Sequence, residues 1–430
     1  MQAVQAQTFR IQASDAWRWQ AVAWAATHFD YVTLFNNNHI PYPHGPFPNR
    51  LAFGARRMVA FTGTDDLQTL YRAHQEQPSW LVGYLGYDLK NQLEDLTSHH
   101  NDPLGFPEIF FYEPEYLLDF SDDDVTVYGD DAETLYQQIS RFDMLSTNKP
   151  AKAITIRSRV DPEKYLATVR QIQQHIIAGD VYELNYCQEF FAEAATLDPL
   201  TTYQALDKRS PMPFSVFMKR HDQYLMCASP ERFLKKTGDQ LLSQPIKGTI
   251  RRGHSPEEDE QLRQALLHNE KERAENLMIV DLVRNDLARS ARTGSVRVDE
   301  LFGIYTFRQV HQMISTVSAT LHPDISFTDA IRHAFPMGSM TGAPKIRAME
   351  LIDHYEASRR GLYSGAVGYI TPEGDFDFNV VIRSLLYNAT SAYASFSVGS
   401  AITYDADPEQ EYQECLLKAR ALREVLTGIV

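Results

Sequence analysis

Short strand-like segments towards both ends of the chain constrain its fold more than any other feature. Over much of the first third of the sequence, short apolar runs alternate with polar turns, as at residues 80–87. Residues 361–404 show the same pattern, with turn residues at 372–374. Because these runs do not alternate regularly with helices, the sequence predicts a mixed α/β fold of the α+β type rather than a doubly wound parallel sheet.

Helical signals lie between these segments and near the end of the sequence. Asp161 followed by Pro162 is typical of a helix start, apolar residues then recur at spacings of four, three and four, and Gly179 ends the pattern. Three further helices are predicted, at about residues 256–273, 275–288 and 408–426. The length of 430 residues suggests two or three domains. We place a boundary between an N-terminal lobe at 1–150 and a larger region at 151–430.

Charge and composition exclude several classes of function. The formal net charge is −15, so neither nucleic acid nor an anionic membrane is an expected partner, because binding either requires clustered Lys and Arg. No apolar stretch predicts a signal peptide or a membrane span, and a cytoplasmic location is expected. Cys187, Cys227 and Cys415 are far apart and predict neither a disulfide framework nor a zinc site. Glycine-rich nucleotide-binding motifs are also missing.

Lys247 is the first candidate for chemistry. It lies between Pro245, which cannot donate a backbone hydrogen bond to a sheet, and Gly248, which permits close backbone approach. This run therefore predicts a strand end that directs one amine into a cavity. A solvated surface lysine is the ordinary alternative.

Carboxylates on two predicted helices are the second candidate. Glu275 begins one helix, and Glu411 and Glu414 lie three residues apart on the last, with Lys418 a further turn along. Facing glutamates could bind Mg²⁺, which prefers oxygen ligands, but spacing alone favours a solvated charge ladder with a Glu414–Lys418 pair. Arg383 interrupts an apolar strand, where its guanidinium either faces solvent or binds a carboxylate.

Eight segments carry a more specific signal. In chain order they are Ser229-Pro-Glu-Arg-Phe233, Pro245-Ile-Lys-Gly-Thr249, Arg273-Ala-Glu-Asn-Leu-Met-Ile-Val-Asp-Leu282, Arg284-Asn-Asp286, Gly338-Ser-Met-Thr-Gly-Ala-Pro-Lys345, Gly365-Ala-Val-Gly-Tyr369, Ile382-Arg-Ser384 and Glu411-Tyr-Gln-Glu414. This ordered set resembles the chorismate-utilising enzyme family, most closely its aminodeoxychorismate synthase component I branch, also known as the para-aminobenzoate synthase large subunit. The resemblance implies an anthranilate synthase component I-like fold of two large, mainly antiparallel sheets packed as a sandwich with helices outside. It also implies that region 151–430 binds chorismate.

The resemblance further implies a set of site residues. Glu275 and Glu414 would hold Mg²⁺, with Glu411 reaching it through water and the ring carboxylate of chorismate completing the shell. The remaining expected pocket residues are Arg383, Tyr369, the backbone around Gly399 and Ser400, Lys418, Thr341 and Lys345. Of these, Arg383, Tyr369 and the amides around Gly399 would grip the enolpyruvyl carboxylate.

The implied reaction depends on Lys247, because anthranilate synthases resembling this chain carry a small residue there. By analogy, a neutral Lys247 adds at C2 of chorismate and expels the C4 hydroxyl, and ammonia then attacks C4 and releases the lysine. This requires a lowered pKa for Lys247, through desolvation or a nearby cation. Glu231 is the expected general acid, with a raised pKa. Ammonia would come from a glutaminase on a separate chain, and the product would lead to folate.

Three departures from the family pattern accompany the resemblance. Glu183 follows Tyr182 where many relatives have glutamine, and isochorismate synthases need a lysine there, so that activity is disfavoured. The family's usual Gly-x-Gly triplet reads Gly399-Ser-Ala401 here, so Ala401 replaces the second glycine. His311 is displaced from the position of the family's usual histidine. Anthranilate synthase component I is the nearest rival function, and a non-catalytic chorismate-binding subunit is the rival of another class.

Overall fold

The computed structural model describes residues 6–11, 14–143 and 154–428, so the predicted domain boundary at 150 lies outside the described residues. These residues form eleven α-helices: α1 Ser14–His28, α2 Asp66–Glu76, α3 Lys90–Leu93, α4 Ala132–Ser140, α5 Pro162–Ala178, α6 Pro199–Arg209, α7 Pro256–Leu267, α8 Glu270–Ala288, α9 Phe327–Ala334, α10 Lys345–Tyr355 and α11 Pro408–Thr427. No helix in the described ranges combines the length and apolar character needed to cross a bilayer.

The described strands are assigned in chain order. They are β1 Ala6–Arg10, β2 Tyr31–Asn36, β3 Arg50–Phe53, β4 Arg57–Met58, β5 Leu81–Leu85, β6 Ile109–Glu113, β7 Tyr116–Phe120, β8 Asp124–Tyr128, β9 Arg157–Ser158, β10 Glu183–Ala192, β11 Phe214–Arg220, β12 Gln223–Ser229, β13 Arg232–Thr237, β14 Gln240–Gln244, β15 Ile246–Arg251, β16 Arg297–Thr306, β17 Val310–Thr320, β18 Gly342–Ala343, β19 Ala366–Ile370, β20 Phe376–Asn379, β21 Ser384–Asn388 and β22 Tyr393–Ile402.

The strands form two antiparallel sheets. Sheet A has 12 strands in the order β1-β8-β7-β3-β2-β11-β12-β21-β22-β10-β18, with β9 beside β10. Sheet B has 10 strands in the order β15-β17-β14-β13-β20-β19-β5-β6-β4, with β16 beside β17. Strands from before and after residue 150 share both sheets, so the two regions fold against each other through continuous strand pairing.

Two apolar cores explain the layered arrangement. One lies between the sheets and joins residues such as Val216 of sheet A to Leu234 of sheet B. The other lies between the outer face of sheet A and helices including α5 and α11, and contains Leu184 and Tyr186. Because successive side chains of a strand point to opposite faces, this second core directs Glu183 of β10 towards the space between the sheets. The predicted sandwich with outer helices is confirmed.

Local capping signals set the helix boundaries. As predicted, α5 begins after Asp161, whose side chain accepts a hydrogen bond from the Lys164 amide, and ends at Gly179 in the left-handed conformation. The predicted helix at 256–273 is interrupted, because α7 ends at Leu267 and residues 270–273 belong to α8. Asn269 caps α8 by accepting a hydrogen bond from the Glu272 amide, so α8 begins earlier than expected and Glu275 lies in its second turn.

A buried ion pair fixes the junction between β13 and β20. Arg232 donates to Asp377 through Nε at 2.8 Å and Nη2 at 2.9 Å, and Arg232 is fully buried. Arg232 also donates to Gln244 of β14. Removal of the carboxylate would leave an unpaired buried guanidinium.

We therefore expect Asp377→Ala to destabilise the protein by about 3–5 kcal/mol, measured by urea unfolding. Replacing both partners, as Arg232→Met with Asp377→Leu, should restore much of the loss because no buried charge remains unpaired. Glu193→Ala removes an exposed pair with Arg157 and should change stability little. Equal losses in the single and double variants would contradict this account.

Candidate active site

Lys247 lies in a β-bulge at the edge of sheet B. Ile246 pairs with Ile314 and Thr249 with Gln312, so β15 contains one residue more than β17 across this interval. Gly248 occupies the bulge with φ of +89°. Such bulges redirect a side chain out of the regular ladder. The Lys247 side chain is only 10% exposed, which excludes the alternative of a solvated surface lysine.

The Lys247 ammonium pairs with a carboxylate of the opposite sheet. Its Nζ donates to Glu183 Oε1 at 2.5 Å, and the Glu183 side chain is 2% exposed. Glu183 is held between two strands, because β10 pairs with β22 on one side and β18 on the other. Gly342 of β18 comes so close that an added Cβ would lie 2.1 Å from the Glu183 carbonyl oxygen. Position 342 therefore requires glycine.

The environment does not lower the pKa of Lys247. Burial alone would lower it, but the negative charges of Glu183 and Glu275 and the hydrogen bond to Glu183 outweigh burial and raise the pKa above 10.5. The expectation of a lowered pKa is therefore wrong for the protein without a bound cation. That expectation considered the desolvation of the amine but not the negative charges of the surrounding carboxylates.

Glu231 is the second buried carboxylate at this place. It follows β12 directly and accepts hydrogen bonds from Ser339 Oγ at 2.7 Å and from the backbone amide of Ile246. Burial raises the pKa of Glu231 from 4.5 to about 7, although these hydrogen bonds and the charge of Lys247 oppose the shift. A raised pKa is what the role of general acid requires.

The expected metal-binding glutamates have lysine partners in the structure. Lys271 Nζ lies 3.2 Å from Glu411 Oε1 and 3.8 Å from Glu275 Oε1, so one ammonium joins α8 to α11. Glu414 pairs with Lys418 at 2.6 Å. This is the i,i+4 pair predicted from spacing.

These carboxylates differ in charge environment. Burial raises the pKa of Glu275 to about 7, with Glu183 adding to the shift, whereas the charge of Lys418 lowers the pKa of Glu414. Within the described ranges, no group of three His, Cys, Asp or Glu side chains is placed to hold a metal ion. The oxygen donors nevertheless match the preference of Mg²⁺, and Glu275 and Glu411 already share a cation.

Arg383 provides a cation without a carboxylate partner. Its backbone is left-handed, with φ of 51°, which costs energy for a non-glycine residue. Burial lowers the pKa of Arg383 to about 10, partly opposed by the charge of Glu231. In the described part of the chain its guanidinium has a long contact with Met212 Sδ at 3.9 Å and no ion pair within 4.0 Å. It is therefore available to an anionic ligand.

Three other expected residues are connected to β10, the strand that carries Glu183. The loop of Thr341 precedes β18, and the Thr341 carbonyl accepts from the Asn185 amide at 2.8 Å while its hydroxyl donates to Met337. Gly399 lies opposite Cys187 in the β10–β22 ladder. Lys418 Nζ donates to the Gly399 carbonyl at 3.0 Å. The structure thus links these residues to β10 through backbone contacts.

The structure does not bring four other candidates into this group. Ser400 points to the helix layer, where its hydroxyl lies 3.3 Å from the Tyr165 hydroxyl. The Tyr369 ring packs against the Arg50 guanidinium and a cluster of aromatic rings. His311 contacts Asp259 and Thr306, and Lys345 pairs with Asp286 at 2.7 Å. Each of these side chains has partners that lie away from Lys247.

Sequence reasoning missed Glu183, Ser339 and Lys271 as members of the site. Glu183 was noted only because it is not lysine, although a carboxylate at the start of an otherwise apolar, strand-like run is itself a signal. The sequence around Lys271 and Ser339 gave no such indication. Lys271 lies beside Glu411 only because α8 and α11 are neighbours, and Ser339 reaches Glu231 only because their two loops meet.

A separate cavity lies beyond the Asn185–Cys187 part of β10. It has a volume of about 390 Å³ and is lined by residues that include Arg159, Glu189, Arg360 and Tyr363. Neither Lys247 nor Glu231 lines it. We place the candidate active site at the buried amine and carboxylates rather than at this cavity, because only that group combines a potential nucleophile, a potential acid and an unpaired guanidinium.

Comparison with known sequences identifies the class of protein. The profile of the chorismate binding enzyme family matches residues 18–424, and the chain belongs to this family. Among curated relatives, aminodeoxychorismate synthase component 1 of Bacillus subtilis is 35% identical over 361 residues, covering 80% of this chain and 76% of the relative. The aminodeoxychorismate synthase of Streptomyces griseus is 40% identical over 363 residues, again covering 80% of this chain but only 50% of the relative. An anthranilate synthase component I-like protein of Synechocystis is 38% identical, covering 81% of this chain and 73% of the relative.

Solved structures confirm the fold. Anthranilate synthase component I of Streptococcus pneumoniae superimposes with a TM-score of 0.77 at 27% identity, covering 90% of this chain and 95% of that protein. The menaquinone-specific isochorismate synthase of Escherichia coli gives a TM-score of 0.75 at 18% identity, covering 98% and 95%. At that identity the second comparison shows the fold alone.

Glu231 should make stability depend on pH. Because the folded state raises its pKa from 4.5 to about 7, its favourable contribution is complete below pH 4.5 and is lost as the pH rises through about 7. Glu231→Gln removes this titration. Its free energy of unfolding relative to the wild type should therefore increase between pH 4.5 and 8, by up to about 3 kcal/mol.

Urea unfolding of both proteins at the two pH values measures this difference. Glu193→Gln, which changes an exposed carboxylate, should show the pH dependence of the wild type. A Glu231→Gln protein with that same dependence would show that Glu231 does not titrate in this range.

Proposed function

We propose that this protein is the chorismate-aminating component of an aminodeoxychorismate synthase, converting chorismate and ammonia to 4-amino-4-deoxychorismate. The observation that carries the proposal is the placement of Lys247 in a buried bulge beside Glu231 and Arg383. Curated aminodeoxychorismate synthases at 35–40% identity over four fifths of the chain support it. The chain covers only half of the Streptomyces griseus relative, so the proposed activity is limited to the chorismate-aminating component.

Lys247 is the proposed nucleophile. Its amine bonds to C2 of the chorismate ring, the ring double bonds shift, and the C4 hydroxyl leaves. Ammonia then bonds to C4, the double bonds shift back, and the lysine is released. A small residue at this position could not form such an adduct, which is why Lys247 favours this reaction over anthranilate formation.

Glu231 is the proposed general acid. It protonates the departing C4 oxygen so that water leaves. Its pKa of about 7 allows a large fraction to carry the required proton near neutral pH. Ser339 orients the carboxyl by its hydrogen bond to Oε1.

Arg383 is proposed to bind the enolpyruvyl carboxylate. Its lack of an ion pair within the described ranges leaves its planar donors free for bidentate binding. The backbone near Gly399 and the Thr341 loop flank the same strand, and Lys418 supports Gly399 from α11. Tyr369 was expected to share this role, but its ring contacts favour a packing role instead, while the backbone around Gly399 and Ser400 keeps the role expected of it.

Mg²⁺ is the proposed metal, held by Glu275 and Glu414 with Glu411 nearby. When bound, it would supply positive charge for the ring carboxylate of chorismate. In the structure lysines balance the charge of these glutamates, because Lys271 joins Glu275 to Glu411 and Lys418 neutralises Glu414. Cation binding therefore requires these ammonium groups to move or to share their carboxylates.

The proposal also covers the source of ammonia, the pathway and the location of the enzyme. A glutamine amidotransferase subunit is the proposed source of ammonia, because no segment of this sequence combines a nucleophilic cysteine in a glycine-flanked elbow with a downstream catalytic histidine, and its three cysteines are buried. The product would enter folate biosynthesis. A cytoplasmic enzyme in complex with the glutaminase fits this chemistry.

Incubation with chorismate and Mg²⁺ in the absence of ammonia should leave a covalent adduct on the Lys247 peptide, detected by mass spectrometry. Lys247→Arg keeps the positive charge but not the nucleophile, and it should give neither adduct nor product. With ammonium present, the wild type should yield aminodeoxychorismate, which, unlike anthranilate, is not fluorescent. Anthranilate as the product, or full turnover by Lys247→Arg, would refute the proposed function, and absence of any turnover would favour a non-catalytic binding subunit.

Glu275→Gln should abolish Mg²⁺-dependent turnover and weaken Mg²⁺ binding in calorimetric titration, because it removes a charged ligand of the proposed metal. Asp281→Asn changes an exposed carboxylate on the same helix and should retain both properties. Circular dichroism should show an intact fold in each variant. Unchanged Mg²⁺ binding by Glu275→Gln would place the metal elsewhere.

A further inference from the structure

The proposed chemistry needs a neutral Lys247, but the structure surrounds its ammonium with negative charge. Glu183, Glu231 and Glu275 all favour the protonated form of the lysine. Chemistry at this amine therefore requires a group that removes its proton at the moment of attack. That group must be in contact with Nζ, because proton transfer occurs over hydrogen-bond distance.

Glu183 has the required geometry. Its Oε1 lies 2.5 Å from Lys247 Nζ, and both side chains are shielded from solvent. Its second oxygen, Oε2, is buried and has no hydrogen-bond partner among the described residues. This unpartnered oxygen leaves the Glu183 carboxylate with acceptor capacity beyond its hydrogen bond to Lys247.

The backbone around Glu183 holds the carboxylate in place. The amide of the preceding Tyr182 donates to Ala343 at 2.7 Å, the amide of Asn185 donates to Thr341 at 2.8 Å, and β22 pairs along the other edge of β10. A base carried on a strand that is bonded on both edges keeps a constant distance to its proton donor.

The other charged groups facing Lys247 are less suitable. They are Glu231 ahead of β13, Glu272 and Glu275 on α8, and Glu414 and Lys418 on α11. Glu231 accepts two hydrogen bonds and is needed as an acid, while Glu414 is neutralised by Lys418. Of the carboxylates near Lys247 in the described ranges, Glu183 is the one hydrogen-bonded to Nζ.

We propose that Glu183 is the catalytic base for Lys247, taking one proton from its ammonium and storing it for as long as the amine is bonded to the substrate. This inference deepens the proposed function and rests on it. This role requires a carboxylate at position 183. A glutamine there can accept a hydrogen bond but cannot hold the proton.

The steps balance in atoms and charge. An N–H bond of the ammonium breaks, its proton bonds to Glu183 Oε1, and the electron pair remains on Nζ. That pair forms the C2–Nζ bond, and the C4–oxygen bond breaks as Glu231 gives its proton to the departing water. Ammonia later bonds to C4, and the C2–Nζ electrons return to Lys247. Glu183 then gives its proton back to the lysine, and the new C4 ammonium returns one to Glu231.

The test is the rate of adduct formation on Lys247 as a function of pH, in full-length protein with saturating chorismate and Mg²⁺ and without ammonia. With Glu183 present, the proton of Lys247 stays within the site, so the wild-type rate above pH 7 should follow only the titration of the acid Glu231, whose pKa is about 7. In Glu183→Gln the proton of Lys247 must leave to solvent. Because Glu231 titrates in both proteins, the ratio of the two rates is the measure: the wild type should be about 100-fold faster at pH 7, and this ratio should shrink about tenfold per pH unit above that.

Two variants separate this role from a structural one. Glu183→Asp keeps a carboxylate and should retain the pH profile of the wild type at a lower rate. Glu189→Gln removes a buried carboxylate from the same face of β10, where it pairs with Arg159, and should leave rate and profile unchanged. Either variant showing the pH profile of Glu183→Gln would overturn the proposal.

The two proposals fail in different ways. If the wild type forms no adduct, the covalent route of the proposed function is lost. If the wild type forms the adduct and Glu183→Gln does so equally fast with the same pH profile, only the role of Glu183 is lost. A faster reaction in Glu183→Gln at neutral pH would also overturn that role, because it would show that Glu183 merely restrains the ammonium.

Discussion

The ion pair between Lys247 and Glu183 is the interaction on which the site depends. It joins the edge of one sheet to an inner strand of the other, and both side chains are almost fully shielded from water. Removing two charges from water is costly unless each has a partner at close range. The two sheets must therefore meet in one register here, and that register also brings Glu231 and Glu275 close to the same amine.

Chemically identical glutamates acquire different properties around this pair. Burial raises the pKa of Glu231 and of Glu275 to about 7 against the opposing charge of nearby lysines, whereas the charge of Lys418 lowers the pKa of Glu414. Groups whose environments separate their pKa values can act as acid, base and cation ligand within one pocket. This division suits a reaction that must both protonate a leaving oxygen and deprotonate an amine.

Much of the fold and part of the site could be predicted from local signals. The Asp161 cap and Gly179 define α5, and the strand-like runs and the ordered motifs indicated a two-sheet sandwich of the chorismate-utilising type. Lys247, Glu231 and Arg383 do lie together, because each is specified by a short motif. Tyr369 belongs to an equally recognisable segment but points elsewhere, since a strand places neighbouring side chains on opposite faces and the motif does not state which face is used.

The sequence by itself determined the class of elements, the family and the amine that is the candidate nucleophile, because these depend on residue types at short spacing. Only the tertiary structure decided that Glu183, 64 positions away, contacts this amine and that Lys271 lies between the carboxylates of two helices. It also decided the direction of the lysine's pKa shift. Burial and charge act through space, and the balance between them depends on atoms that the chain brings together only when both sheets have formed.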